Sequence, residues 1–259
     1  MKKLFVFSDI HSYYDQFIKA LNDAGFDVDN QDHILVSLGD LCDRGPDSVK
    51  ILDFINSFSK KRKICIIGNH ELLLEDVLIR GSYLEHDLHN QTDKTINQLT
   101  KSSGNKAINK MKDNQMWKDY KKNWRYYFEL DKYIFVHGYI PSGTYNKYGE
   151  LMYVHYVEDW RNCNNDDWLG ATWTNGMYAW SMGIVEKGKT IVCGHYHTSW
   201  GHSRLHKDGP EFDKQNSKAK FEPFIDKGII AIDACTAYSG LVNILTLEIE
   251  DEEFNKWYK

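Results

Sequence analysis

Short apolar runs in this chain end, one after another, in side chains that bind cations or move protons. Leu4–Phe7 runs into Ser8, Asp9, Ile10 and His11, and Ile34–Leu38 into Gly39, Asp40, Leu41, Cys42, Asp43, Arg44 and Gly45. Ile64–Ile67 is followed by Gly68, Asn69, His70 and Glu71, Tyr133–Val136 by His137 and Gly138, and Thr190–Cys193 by Gly194, His195, Tyr196 and His197. Oxygen and imidazole donors without thiolates suit manganese, iron, zinc or nickel rather than a cysteine-based zinc site. Taken singly, Asp9, Asp40 and Asn69 are equally explained by turn chemistry and helix capping. That reading leaves the matching histidines without a reason.

These groups meet only if the apolar runs are strands that end along one edge. The runs are near-continuous, as expected for strands buried on both faces. Helical patterns separate the early ones. Phe17, Ile18 and Leu21 share a face near Tyr13–Ala24, Pro46 suits a first turn before the stripe Val49, Leu52, Ile55 and Phe58, and Leu72–Ile79 ends at Gly81. This alternation predicts an α/β core with parallel strands, whose carboxyl ends form the ligand-binding edge. Leu241–Ile249 alternates and reads as an outer strand. Two Asp, one Asn and at least three His in one pocket would leave buried charge uncompensated unless a cation is bound. Six donors are too many for one four-coordinate ion, whereas two ions roughly 3.5–4 Å apart sharing a carboxylate fit the number.

The reading is one domain over residues 1–259, with a polar helical insertion at about 82–123. The stretch from Ser82 to Asn123 is rich in Lys, Asn and Gln, with weak stripes at Ile96–Leu99 and Ile108–Met111. Its plain role is a solvated excursion; its sharper role is a lid. At 42% hydrophobic and 27% charged residues, the 259-residue chain can bury a sizeable core, and its formal net charge of -5 gives no reason to expect nucleic acid or an anionic membrane as partner. The five cysteines form no C-x-x-C pair, which points to a reducing compartment and a cytoplasmic protein. The apolar run at the start is too short for a signal peptide, and no stretch approaches the roughly 20 apolar residues of a spanning helix.

In this order, D-x-H at Asp9–His11, G-D-x-x-D-R-G at Gly39–Gly45, G-N-H-E at Gly68–Glu71, H-G at His137–Gly138 and G-H at Gly194–His195 resemble the calcineurin-like metallophosphoesterases. The D-R-G and G-N-H-E forms resemble the phosphoprotein-phosphatase branch, in particular bacterial and phage serine/threonine protein phosphatases. The resemblance implies an α/β sandwich in which two mixed β-sheets pack together, flanked by helices. It implies two divalent ions, manganese first, with Asp9 and His11 on one, Asp40 bridging, and Asn69, His137 and His195 on the other. It makes His70 a general acid partnered by Asp43, Arg44 a phosphate clamp and Arg161, in Glu158–Arg161, a second clamp. His197 departs from the branch pattern: it is a further ligand, a phosphate contact or an ordinary loop histidine. Tyr238 resembles a loop tyrosine near the substrate. The aromatic group around Trp160, Trp168 and Trp173 is packing or a base-stacking surface.

The activity implied is a dinuclear metal-dependent phosphatase acting on phosphomonoesters, phosphoserine and phosphothreonine proteins included, through attack by a metal-bridging hydroxide. The partner is then a phosphorylated protein or a small phosphoester; the oligomeric state stays open. The alternatives are a symmetrical dinucleoside-tetraphosphate hydrolase or phosphodiesterase, and an inactive relative that binds phosphoproteins.

Overall fold

The computed structural model describes residues 1–145, 151–213 and 218–256. Strands β1 (Lys2–Phe7), β2 (His33–Ser37), β3 (Lys63–Ile66) and β4 (Trp124–Arg125) lie side by side and parallel. A second sheet is built from β5 (Tyr127–Glu129), β6 (Tyr133–Val136), β9 (Thr190–Cys193), β10 (Phe224–Asp226) and β11 (Ile229–Ala231), in the order β10-β11-β9-β6-β5. Its central strands are parallel and its outer pairs antiparallel. A separate antiparallel hairpin joins β7 (Gly143–Tyr145) and β8 (Leu151–Val154). The last strand, β12 (Leu245–Ile249), returns antiparallel to β1 and closes one edge of the first sheet.

The two-residue period of the strands explains the layering. Leu4, Val6, Ile34, Val36, Ile64 and Ile66 point one way and pack with Phe128, Phe135 and Val192 between the sheets. Phe5, Phe7, Leu35 and Cys65 point the other way, into a layer of helices. That layer contains α1 (Tyr14–Asp23), α2 (Ser48–Ser57) and α3 (Asn69–Arg80). The outer face of the second sheet, with Ile134, Val136, Ile191 and Cys193, is covered by α8 (Asn165–Thr172) and α9 (Gly176–Ser181). The apolar runs therefore divide between two packed mixed sheets, where the alternation of strands and helices alone had suggested a single parallel one. Shorter helices follow at α10 (Thr198–Arg204), α11 (Thr236–Ser239) and α12 (Asp251–Lys256).

The stretch from 82 to 123 forms α4 (Glu85–His89), α5 (Thr92–Thr100), α6 (Gly104–Met111) and α7 (Gln115–Lys121). It is not a solvated excursion. Ile96, Ile108, Met111, Trp117 and Tyr120 are buried in the same cluster as Phe17, Leu52, Ile55, Leu74 and Val77. Leu84 and Leu88 at α4 stay exposed, but the apolar residues of α5, α6 and α7 face inward, so the average polarity of this stretch hides a well-formed buried face. No described helix is long and apolar enough to cross a membrane.

Candidate metal centre

Residues just beyond β1, β2, β3, β6 and β9 meet where the carboxyl ends of the two sheets come together. The backbone there is unusual: Asp9, His11, Asp40, Asp43, Arg44 and His195 all have positive φ, between 45° and 70°. An L-residue in this region costs about 1–2 kcal/mol, and clusters of such strain belong to functional sites. Two glycines allow the close approach. A Cβ on Gly68 would stand 2.2 Å from Asp40 Oδ1, and one on Gly194 would stand 1.9 Å from Ser8 Oγ and 2.4 Å from Asp9 Oδ2.

Glu71 holds this framework together. Its carboxylate accepts the backbone N–H groups of Asp40, Leu41 and Gly68, each at 2.9 Å. It thereby ties the loop after β2 to the start of α3. Helix α3 begins at Asn69, three residues before the apolar stripe that marks it in the sequence, so Asn69 and His70 sit in its first turn. The Asp40 carboxylate in turn accepts the His70 amide at 3.0 Å.

The donors form two groups that share Asp40. Ligating atoms of His11, Asp40 and His70 lie within 4.8 Å of one another, as do those of Asp40, His137 and His195. Tautomers follow from the outer contacts. His137 Nδ1 donates to the Leu38 carbonyl at 2.7 Å, and His11 Nδ1 to the Cys42 carbonyl at 2.9 Å. Burial is the first cause that holds His11, His70, His137 and His195 well toward the neutral form, with His195 pushed down to about 3. A neutral His137 then turns the lone pair of Nε2 toward Asn69 Oδ1, 2.8 Å away, and His195 Nδ1 lies 2.9 Å from the same oxygen. The lone pairs of His137 Nε2 and Asn69 Oδ1 facing each other with no proton between them fit a cation. Burial, reinforced by the neighbouring carboxylates, also drives Asp9 and Asp40 well above the usual carboxylate range, as expected of groups matched to positive charge.

Asp9 belongs to neither group of three. Its Oδ2 accepts the Ser8 hydroxyl and the His195 backbone N–H, the latter at 2.9 Å. His70, expected from the sequence to transfer a proton, stands beside His11 and Asp40. Its Nδ1 donates to Asp43 Oδ2 at 2.8 Å. Arg44 spans the pair, its Nη1 2.9 Å from His11 Nε2 and its Nη2 3.1 Å from His70 Nε2.

The other expected site residues lie elsewhere. Arg161 stacks on Trp160, 4.1 Å from its ring centre, and its guanidinium is bound to Glu129 at 2.5 and 2.8 Å and to Glu186 at 3.0 Å. Three hydrogen bonds to two carboxylates leave it committed to that pair. His197 contacts Ser199 at 2.8 Å and stacks on Tyr196, and Tyr238 is exposed with its ring against Phe212. Trp160 and Trp168 are core residues.

Sequence reading missed Asp233 and two threonines. Asp233 is buried beside Asp9, and burial moves its carboxyl up to about 6. The signal was available, since Asp233 directly follows the apolar run Ile229–Ile232, as Asp9 nearly follows Leu4–Phe7. Thr92 and Thr95 donate to Asp43 at 2.8 and 2.6 Å. Nothing in the sequence connects them to a residue some fifty positions away.

Comparison with known proteins fits this geometry. Residues 2–218 match the model of the family described as calcineurin-like phosphoesterase. A symmetrical bis(5'-nucleosyl)-tetraphosphatase of Proteus mirabilis is 37% identical over 78 residues, 30% of this chain and 28% of that one. Its counterpart from Buchnera aphidicola is 42% identical over 71 residues, 27% and 25% of the two chains. A zinc-dependent endopolyphosphatase of Saccharomyces cerevisiae is 35% identical over 75 residues, 29% and 22% of the two chains. The matched stretch thus spans about a quarter of the length of these curated relatives. The solved cold-active protein-tyrosine phosphatase of a Shewanella species has the same fold, with a TM-score of 0.56 at 16% identity over 96% of this chain and 76% of that one. With the family match running through all five strand-end motifs and the two donor groups built from them, this chain belongs to the calcineurin-like phosphoesterase family.

Proposed function

We propose that the protein hydrolyses dinucleoside tetraphosphates, cutting the phosphate chain symmetrically to give two nucleoside diphosphates. The observation that carries the chemistry is the pair of donor groups sharing Asp40, with the Arg44 guanidinium set across His11 and His70. The choice of substrate is supported by the matched relatives, several of which are named for that reaction. The phosphomonoester and phosphoprotein reading rests on the D-R-G and G-N-H-E resemblance and has less support.

In this reading His11, Asp40 and Asp9 would hold one divalent cation, and Asn69, His137 and His195, again with Asp40, would hold the other. When bound, such a pair lowers the pKa of water and offsets the charge that develops on the phosphoryl oxygens. Arg44 contributes a planar fork that takes two phosphate oxygens in place of the ring nitrogens it now contacts. This frees His70 Nε2. Burial and Arg44 favour the neutral imidazole, whereas an anionic phosphate beside it favours the imidazolium. His70 then passes a proton from Nε2 to the departing oxygen, while Asp43 keeps Nδ1 protonated and the ring oriented. Arg161 has no part in the step, because Glu129 and Glu186 hold its donors.

Chromatographic product analysis tests the proposal. Purified protein loaded with manganese should convert diadenosine tetraphosphate (Ap4A) to ADP alone, and chelation should abolish the reaction. Turnover of a phosphoserine peptide with no cleavage of Ap4A would return the phosphoprotein reading to first place.

A further inference from the structure

A groove of about 550 Å³ opens directly off the metal centre. This volume lies within the range of small-molecule sites, about 300–1,000 Å³. Asn69, whose Oδ1 faces His137 and His195, is one of its walls, and Trp173 is another. The Trp173 ring stands edge-on to His195 at 5.9 Å, so the groove and the phosphate-binding region are continuous.

Two properties of the lining decide what it holds. First, it is flat and apolar where it is open. Trp173 is 43% exposed and Ile79 79% exposed, a high value for an isoleucine, and Leu72 continues the surface. Second, its charged groups leave one free acceptor. Glu75 and Asp76 both line it. Glu75 is taken up by the Trp117 indole N–H at 2.7 Å and by Lys121. Asp76 forms no hydrogen bond or ion pair among the described residues and is left as an acceptor. An exposed apolar platform with one spare acceptor suits a planar heterocycle that carries an amine.

We propose that this groove, between α3, α7 and α8, is a nucleobase subsite that takes one base of the substrate by stacking on Trp173, with Asp76 accepting from an exocyclic amine. This deepens the dinucleotide-hydrolase reading and rests on it. The phosphates lie at the metal centre and the base lies beside it, which makes the groove the determinant of preference for nucleotides over simple phosphates.

Steady-state kinetics can compare Ap4A with inorganic tetrapolyphosphate, which carries four phosphates and no base. Trp173→Ala should lower kcat/KM for Ap4A relative to tetrapolyphosphate by about tenfold or more, through KM, with Trp173→Phe restoring most of the loss. Equal losses on both substrates, or none, would overturn the subsite. So would a phosphoserine peptide whose turnover falls as far as that of Ap4A. If wild-type protein leaves Ap4A intact, the hydrolase reading fails by itself. Isothermal titration with adenosine, which has no phosphate, then decides the groove separately. Binding to wild type that is lost in Trp173→Ala supports it, and no binding to wild type overturns it.

Discussion

His137 Nε2 and Asn69 Oδ1 face each other across 2.8 Å although, with His137 donating from Nδ1 to a carbonyl, neither atom of the neutral pair carries a proton. Such a contact is repulsive unless something positive lies against it. Asn69→Ala should therefore reduce bound metal from about two ions per chain to about one, read by elemental analysis after dialysis. Retention of two ions would remove Asn69 from the ligand set.

The same centre should bind metal more tightly as pH rises. Burial raises Asp9 and Asp40, reinforced by Asp233 beside the first and by Asp9 and Glu71 beside the second, so these carboxyls hold protons at a pH where ordinary aspartates are ionised. A cation must displace those protons. The imidazoles, already held neutral, release none. Apparent affinity should climb as pH rises above the ordinary carboxylate range, with proton release seen by titration in buffers of different ionisation enthalpy. An affinity independent of pH would contradict the burial argument.

His70→Asn should slow an alkyl leaving group far more than a good aryl one. General acid catalysis is worth about 10²–10⁴-fold when the leaving oxygen needs a proton, and little when it does not. Equal losses on a methyl and a p-nitrophenyl ester would take His70 out of that role.

Thr95→Val tests whether the 82–123 stretch belongs to the working site. Thr95 donates to Asp43 Oδ1 at 2.6 Å and accepts the Asp43 backbone N–H at 2.9 Å. Losing both should cost about 1–3 kcal/mol in chemical denaturation, since Asp43 is buried, and should lower kcat by releasing the His70 partner. A variant as stable and as active as wild type would show that Thr92 alone suffices.

Arginines 44 and 161 should separate cleanly. Arg44→Ala should lower kcat/KM by about 100-fold or more, as expected for a clamp on a transferring phosphoryl group. Arg161→Ala leaves Glu129 with Lys189 alone and Glu186 with only the neutral donors Tyr156 and Trp160, and should lower the melting temperature, with kcat/KM within about threefold of wild type. A large kinetic loss in Arg161→Ala would restore it as a second clamp.

Much of the site was legible because its ligands sit in short motifs next to strands. Asp9, His11, Asp40, Asn69, His137 and His195 each follow an apolar run by one to four residues, and local sequence carries both the strand and the turn. The runs Tyr133–Val136 and Thr190–Cys193 are strands over those same residues in the structure. Pattern could not tell that the runs divide between two sheets, since a strand buried on both faces reads alike in either. Nor could it show Thr92 and Thr95 reaching Asp43, or Arg161 tied to Glu129, because these pairs are set by packing between elements far apart in the chain.

What the chain order alone determined is the chemistry available: oxygen and imidazole donors, one arginine beside them, and glycines at the tight turns. What only tertiary structure decided is which donors share an ion-sized space, that His70 stands with His11 and Asp40 while Asp9 is anchored by Ser8 and the His195 amide, and that a groove with Trp173 at its edge adjoins them. The physical reason is range. Residue type and turn propensity act over a few bonds, whereas burial, lone-pair opposition and shared cavities exist only after two sheets have packed face to face.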